Sequence, residues 1–136
     1  MKRPFSFEKV EVGEELRALS YDVTAGKLDA FRAATTNPRA TMITIAAKEY
    51  AYLLWAVYEE VTSINAKHEA WYSKVPAVGD VITARGRIAD KYVRRGRRYL
   101  VVETRSTDQT GDEVCRNRVT LLIGGVDAVD GAVDDA

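Results

Sequence analysis

Met42–Val61 reads MITIAAKEYAYLLWAVYEEV. Apolar residues fall on nearly every side of a helix drawn through it, and its centre, Tyr50 to Tyr58, carries no charge. A helix that is apolar all round lies in a bilayer or inside a protein. Crossing a bilayer takes about 20 apolar residues, whereas Lys48, Glu49, Glu59 and Glu60 bracket a shorter uncharged centre. The stretch therefore reads as a long helix wrapped by the rest of the chain, with no membrane involved.

The wrapping is written in the second half. Ile64 to Val75 contains the β-prone Trp71 and Tyr72, and Pro76-Ala77-Val78-Gly79-Asp80 turns the chain. The run VITARGRIADKYV from Val81 then alternates, with Ile82, Ala84, Gly86 and Ile88 on one face and Val81, Thr83, Arg85 and Arg87 on the other. Gly96 supplies positive φ to a hairpin at Arg94-Arg95-Gly96-Arg97, and Tyr99 to Arg105 returns antiparallel. After a turn at Gln109-Thr110-Gly111-Asp112, a last strand places Cys115, Val119, Leu121 and Ile123 on one side and Arg116, Arg118 and Thr120 on the other. An antiparallel meander with one apolar face, beside one apolar helix, is solved by curling the sheet around the helix. The expected fold class is thus α+β, a hot-dog arrangement whose exposed sheet edges favour a dimer or larger assembly.

A shorter helix precedes this unit. Thr24 is placed to cap it, Leu28, Phe31 and Ala34 have helical spacing, and Asn37-Pro38 stops it. Residues 1–124 form the expected domain. Residues 125–136, rich in Asp and small residues, have little to bury and read as a flexible, solubilising tail.

Twenty basic and twenty acidic residues cancel, so the whole molecule has no charge preference for nucleic acid or anionic lipid. The start MKRPFSFEKVEV lacks the apolar core of a secretory signal, and a single cysteine, Cys115, forms no internal disulfide; the cytoplasm is the expected compartment. One histidine and one cysteine are too few for the usual transition-metal sites, and no calcium-loop spacing is present. No metal and no cofactor are expected.

Val10-Glu11-Val12-Gly13-Glu14-Glu15-Leu16, then Tyr21-Asp22-Val23-Thr24 leading to Phe31 and Asn37-Pro38, resembles the opening of MaoC-like hot-dog hydratases and dehydratases. Val75-Pro76-Ala77-Val78-Gly79-Asp80-Val81 resembles their Gly-Asp turn and following strand, and the likeness runs in order from Phe5 to Ile123. The resemblance implies binding of an acyl thioester of coenzyme A or acyl carrier protein, and water added to or removed from the acyl chain. It also implies a reaction loop of the form Gly-Asp-x-Asn-Pro-x-His. Here that loop is ATTNPRAT: Ala34 stands at the glycine, Thr35 at the aspartate and Ala40 at the histidine. General acid–base catalysis needs a group that exchanges a proton near neutral pH, and the loop has lost both. Of its polar residues, Thr35, Asn37 and Arg39 are the expected substrate contacts.

Other residues are candidates for the missing chemistry. His68 is the one side chain whose ordinary pKa lies near neutrality, and it is the first choice for a catalytic role; Glu69 beside it points to the opposite face of a strand, so adjacency alone makes no dyad. Glu49 and Tyr50 open the long helix, where the resemblance places the acyl chain. A carboxylate there suits a thioesterase-like base, although a solvated helix end is the plainer reading of Glu49. Arg94, Arg95, Arg97 and Arg98 could grip phosphate, either the nucleotide end of coenzyme A or RNA, but a solvated hairpin tip is the plainer reading and nucleic acid is not the expected partner. Arg85, Arg87, Arg105, Arg116 and Arg118 belong on the outer face with Glu103 as partner. Tyr50, Tyr52, Trp55, Tyr58 and Cys115 read as core.

Together these readings make the chain an acyl-thioester-binding hot-dog protein, or the partner subunit of a catalytic homologue, working as a homodimer or heterodimer. The alternative is an active hydratase, dehydratase or thioesterase that uses non-standard residues such as His68.

Overall fold

A computed structural model describes residues 2–41, 48–59 and 61–124. Five strands make one antiparallel sheet: β2 (Leu19–Asp22), β4 (Ser63–Tyr72), β5 (Val81–Arg94), β6 (Arg97–Thr107) and β7 (Glu113–Ile123), in the order β2-β5-β6-β7-β4. Two short pieces, β1 (Arg3–Pro4) and β3 (Tyr58–Glu59), pair in parallel apart from it. The helices are α1 (Ala25–Ala34) and α2 (Glu49–Val57). The class is α+β, and the antiparallel meander read from Val81 onward is present with its faces as expected.

The inner face of the sheet is set by alternation along each strand. Ile82, Ala84 and Ile88 of β5, Leu100 and Val102 of β6, and Val119 and Leu121 of β7 are buried, and the register brings Ile88, Val102 and Val119 into one cross-strand row. Leu53 and Leu54 of α2 pack on this surface to form the main core. An extra residue in β5 between Ile88 and Asp90, and another in β4 between Asn65 and Lys67, shift the register; such bulges bend a strand and let a sheet curl. The upper half of β5 is closed by the chain before β2, where Leu16 N–H donates to the Gly86 carbonyl at 2.8 Å and Gly13 N–H to that of Ile88 at 2.7 Å.

Helix α1 begins as its sequence dictates: the Thr24 hydroxyl accepts from the Lys27 N–H at 3.1 Å. It ends at Ala34, ahead of Asn37-Pro38, with Thr35 as its C-cap.

Two expectations about the long helix need correction, while its stretch 42–47 and the tail 125–136 lie outside the described residues. The helix stops at Val57 instead of continuing to Val61: Tyr58 turns to extended backbone (φ −115°, ψ 144°) and joins β3. Tertiary contacts outweigh helical continuation here. The buried Tyr58 ring stands edge-on to Phe5 at 5.4 Å, its hydroxyl donates to Glu14, and Arg3 donates to that hydroxyl at 3.4 Å. Nor is the helix covered on every side. Tyr52 and Trp55, expected in the core, are 54% and 51% exposed because the sheet covers the face that carries Leu53 and Leu54.

Gly86 fixes how closely α2 approaches. A Cβ at this position would stand 3.0 Å from Leu53 Cδ1 and 3.3 Å from the Glu103 carbonyl oxygen. Gly86→Ala is therefore expected to destabilise the fold by about 1–3 kcal/mol, as overpacking of a filled core does. Urea unfolding of the two proteins checks this, and an unchanged midpoint would contradict the close seating of α2 on β5.

Candidate active site

Below the first turn of α2 the inner face of the sheet changes character. Ala84, Ser106 and Cys115, in the row that Leu19 begins, and the neighbouring row Gly86-Thr104-Asn117 offer small or polar side chains where the upper rows offer Val, Ile and Leu. Thr104, Ser106, Cys115 and Asn117 are all buried. Asn117 Nδ2 donates to Thr104 Oγ1 at 3.2 Å and to Cys115 Sγ at 3.3 Å, and the Ser106 hydroxyl donates to the Cys115 carbonyl at 3.4 Å. Small residues leave room above the sheet. That room is taken by Glu49.

Glu49 and Leu53 are four residues apart and so share the helix face turned to the sheet. Leu53 nests against Gly86, which brings the Glu49 side chain down into the protein with only 3% of the residue exposed. The solvated helix end expected for Glu49 is thus not what the fold builds. Its Oε1 accepts from the Tyr21 hydroxyl at 2.6 Å, and its Oε2 is shielded from water with no hydrogen-bond partner among the described residues. No cation stands within ion-pair distance of it among those residues.

These surroundings set its proton affinity. Burial disfavours the charged carboxylate and pushes the pKa up to about 7, against the smaller opposing effect of the Tyr21 and Ser106 hydroxyls. The neighbours respond in kind. Burial and the nearby Glu49 carboxylate push the Tyr21 phenol well above its usual range, and burial raises the Cys115 thiol to about 11, so no reactive thiolate forms there.

Glu49 borders a cavity of about 540 Å³ whose described lining is mainly apolar and includes Leu19, Tyr21, Ala30, Tyr52 and Ala84. Lys27 also lines it, but its ammonium donates to the Asp22 carbonyl at 2.8 Å. An acidic group that titrates near neutrality on the wall of an apolar cavity is of the type that exchanges protons with a bound molecule. No group of His, Cys, Asp and Glu able to hold a metal ion occurs among the described residues.

The other residues singled out from sequence lie elsewhere. His68 is on the inner side of edge strand β4, exposed, with Nε2 paired to Asn117 Oδ1 at 2.8 Å and its ring edge-to-face with Tyr50 at 5.9 Å. Tyr50 accepts a long hydrogen bond of 3.4 Å from Asn65. His68 has no carboxylate partner among the described residues. Thr35, Asn37 and Arg39 are exposed and do not line the described part of the Glu49 cavity. The Thr35 hydroxyl donates to the Phe31 carbonyl at 2.8 Å and Asn37 Oδ1 accepts from Arg39 N–H at 3.0 Å, so both polar groups close the end of α1.

Tyr21, Thr104, Ser106 and Asn117 were not singled out from the sequence. Their signal was parity: each falls on the apolar face of an alternating strand, where an unexplained polar residue implies a buried network.

No protein-family model and no curated protein matches this chain. Solved structures do. A monoamine oxidase regulatory protein from Archaeoglobus fulgius superposes with TM-score 0.74 at 17% identity, covering 90% of this chain and 97% of that one. An (R)-hydratase from A. caviae involved in PHA biosynthesis superposes at 0.65 and 18%, covering 85% and 98%. The HadBC 3R-hydroxyacyl-ACP dehydratase complex from Mycobacterium tuberculosis does so at 0.63 and 18%, covering 83% and 96%. The chain has the hot-dog fold of MaoC-like hydratases and dehydratases.

The raised pKa of Glu49 has a stability signature with a definite sign. In the unfolded chain the carboxyl titrates near its ordinary 4.5, in the folded chain near 7. Between those values the folded state binds more protons, so stability falls as pH rises through the window and the loss is complete above it. The full effect is about 3 kcal/mol. Glu49→Gln is expected to gain stability relative to the unsubstituted protein between pH 5 and pH 8 by an amount of this order, read from urea unfolding at the two pH values. Parallel pH profiles for the two proteins would show that Glu49 is not buried in this way.

Proposed function

We propose that this chain binds an acyl thioester with its acyl chain in the apolar cavity beside α2, and that Glu49 is the acid–base group for adding water to, or removing it from, that chain. The observation that carries the reading is a buried carboxylate on the wall of an apolar cavity, poised near neutrality, whose Oε2 has no hydrogen-bond partner among the described residues. A pKa near the working pH gives useful populations of both protonation states. In hydration the carboxylate takes a proton from water as its oxygen bonds to Cβ of the unsaturated acyl group. The carboxyl group then gives a proton to Cα as the electron pair returns from the thioester enolate. Dehydration is the reverse. The positive end of α2, at the same turn, favours negative charge on the thioester carbonyl oxygen.

This reading places the chemistry on α2 and leaves His68 a structural partner of Asn117. The hydratase and the dehydratase named above support the type of reaction, and coenzyme A or acyl carrier protein is the proposed carrier. A second reading is favoured by the half-exposed Tyr52 and Trp55 and by the edge of β4, which no strand covers among the described residues. On that reading the chain docks a second hot-dog subunit, as a homodimer or heterodimer, and the partner supplies part of the site.

The deciding measurement is hydration of crotonyl coenzyme A by the purified chain, followed by loss of enoyl absorbance. Glu49→Gln is expected to lower kcat by about 100-fold or more, while His68→Ala stays within a few fold. In the unsubstituted protein kcat/KM should rise with pH and level off above about 7, because the base must be ionised. Loss of turnover in His68→Ala but not in Glu49→Gln would return the role to His68. Turnover absent from the chain alone and restored by a second hot-dog subunit would establish the partner reading.

A further inference from the structure

The other end of the sheet carries a second concave site that the acyl-thioester reading does not use. On the outer face, at the β5–β6 hairpin, a cavity of about 270 Å³ is walled by Arg94, Arg95 and Arg97, by Lys67 and Thr120 from β4 and β7, and by the rings of Tyr92 and Tyr99. The register explains the assembly. Arg94 faces Arg97, Tyr92 faces Tyr99, and Lys67 faces Thr120 across adjacent strands. The two tyrosines stack with centroids 5.1 Å apart and planes at 21°.

Three features mark this corner of the outer face. First, its three hairpin arginines all lack acids, as Arg85 lower on β5 also does among the described residues. Elsewhere Arg87 and Arg118 share Glu103 at 2.7 and 2.8 Å, and Arg105 and Arg116 share Glu113 at 3.0 and 3.3 Å. Arg94, Arg95 and Arg97 have no carboxylate within ion-pair distance among the described residues, and no acid lines the described wall. Lys67 is engaged by Glu69 at 3.3 Å, Arg98 by Glu8 at 3.4 Å, and Asp90 accepts from the Lys91 N–H.

Second, the hairpin keeps charge where backbone and packing rules resist it. The two-residue turn has positive φ at both positions, 53° at Arg95 and 75° at Gly96. Asn or Gly takes the first of these more cheaply than Arg. Like charges directly opposite, as at Arg94 and Arg97, are also destabilising. Local rules broken together without internal compensation mark a functional site more often than an accident. Third, Arg97 is only partly exposed, and its Nε is shielded from water with no acceptor among the described residues.

From these observations we propose that the hairpin corner is a binding site for a small diphosphate-bearing anion, a nucleoside diphosphate or a compound ending in one. The guanidinium groups of Arg94, Arg95 and Arg97 hold the phosphate oxygens, for which their planar N–H pairs are suited. The stacked tyrosines give a flat wall against which a base can lie.

The test is calorimetric titration of the full chain at low salt with ADP, inorganic pyrophosphate and a single-stranded uridine 12-mer. ADP and pyrophosphate are expected to bind, ADP more tightly, with affinity falling as salt rises. Arg94→Ala and Arg97→Ala should each weaken ADP about tenfold, and Arg105→Ala, already paired with Glu113, should not. Arg95→Asn supplies the control for folding: Asn accepts the turn's backbone, so the melting temperature should hold or rise while ADP affinity drops. No binding of ADP or pyrophosphate at millimolar concentration would overturn the site. So would binding that is indifferent to all three hairpin substitutions, or an affinity for the 12-mer, per nucleotide, far above that for ADP. Hydration activity that persists or fails in the Glu49 variant leaves this outcome untouched, because the two sites share no residue.

Discussion

The closeness with which α2 can lie on the sheet governs the rest of the molecule. It lies close because Gly86 has no side chain, so Leu53 can fill the space above it. Once Leu53 is seated, the residue one turn earlier on the same face must point into the protein, and that residue is Glu49. Burying an ionisable group costs several kcal/mol unless it is partnered or neutral. This chain partners it with hydroxyls, chiefly Tyr21, and with no described cation. A cation would have lowered the pKa and left a permanent carboxylate. Hydroxyls leave the burial effect in command, and the group titrates near 7.

The two faces of the sheet solve opposite electrostatic problems. On the outer face, water screens the charges, and Glu103 and Glu113 each serve two arginines across strands. Exposed pairs of this kind contribute little to stability individually, at most about 1 kcal/mol. On the inner face, screening is weak and every polar group counts. Asn117 links Thr104, Cys115 and His68 there, which is why a histidine on an edge strand is held in one orientation without a carboxylate.

Much of the fold was legible because strands with one dry face write that dryness every second residue. Ile82, Ala84 and Ile88 carried β5, and the two turns around Gly96 and Gly111 separated β6 from its neighbours. The helix was less legible. Its apolar composition did not tell the face turned to the sheet from the one bearing Tyr52 and Trp55, and its end at Val57 depends on Phe5, Glu14 and Arg3, all more than forty residues away. For the same reason Glu49 read as a solvated helix end. Whether a carboxylate at a helix start meets water or a sheet is decided by Gly86 and Ser106, and no local pattern links those positions to it. Asn117 left a trace, as the polar interruption between Cys115 and Val119 in an otherwise dry face.

The altered loop and the buried acid are two aspects of one arrangement. A group that moves protons during a reaction needs shielding from water, an oxygen or nitrogen not already committed, and space beside it for the substrate. The loop ATTNPRAT does not bring these together. Thr35 and Asn37 are exposed and bonded to their own backbone, while Arg32 reaches across to the Ala40 carbonyl at 2.9 Å and draws the segment shut. It is built as the closure of α1. Glu49 meets all three conditions, a few residues further along the chain and one element deeper in the fold. If this scaffold handles an acyl thioester, the chemistry belongs on the helix that the sheet curls around, and the loop's part is to hold α1 over the same cavity, where Lys27 and Ala30 form its rim.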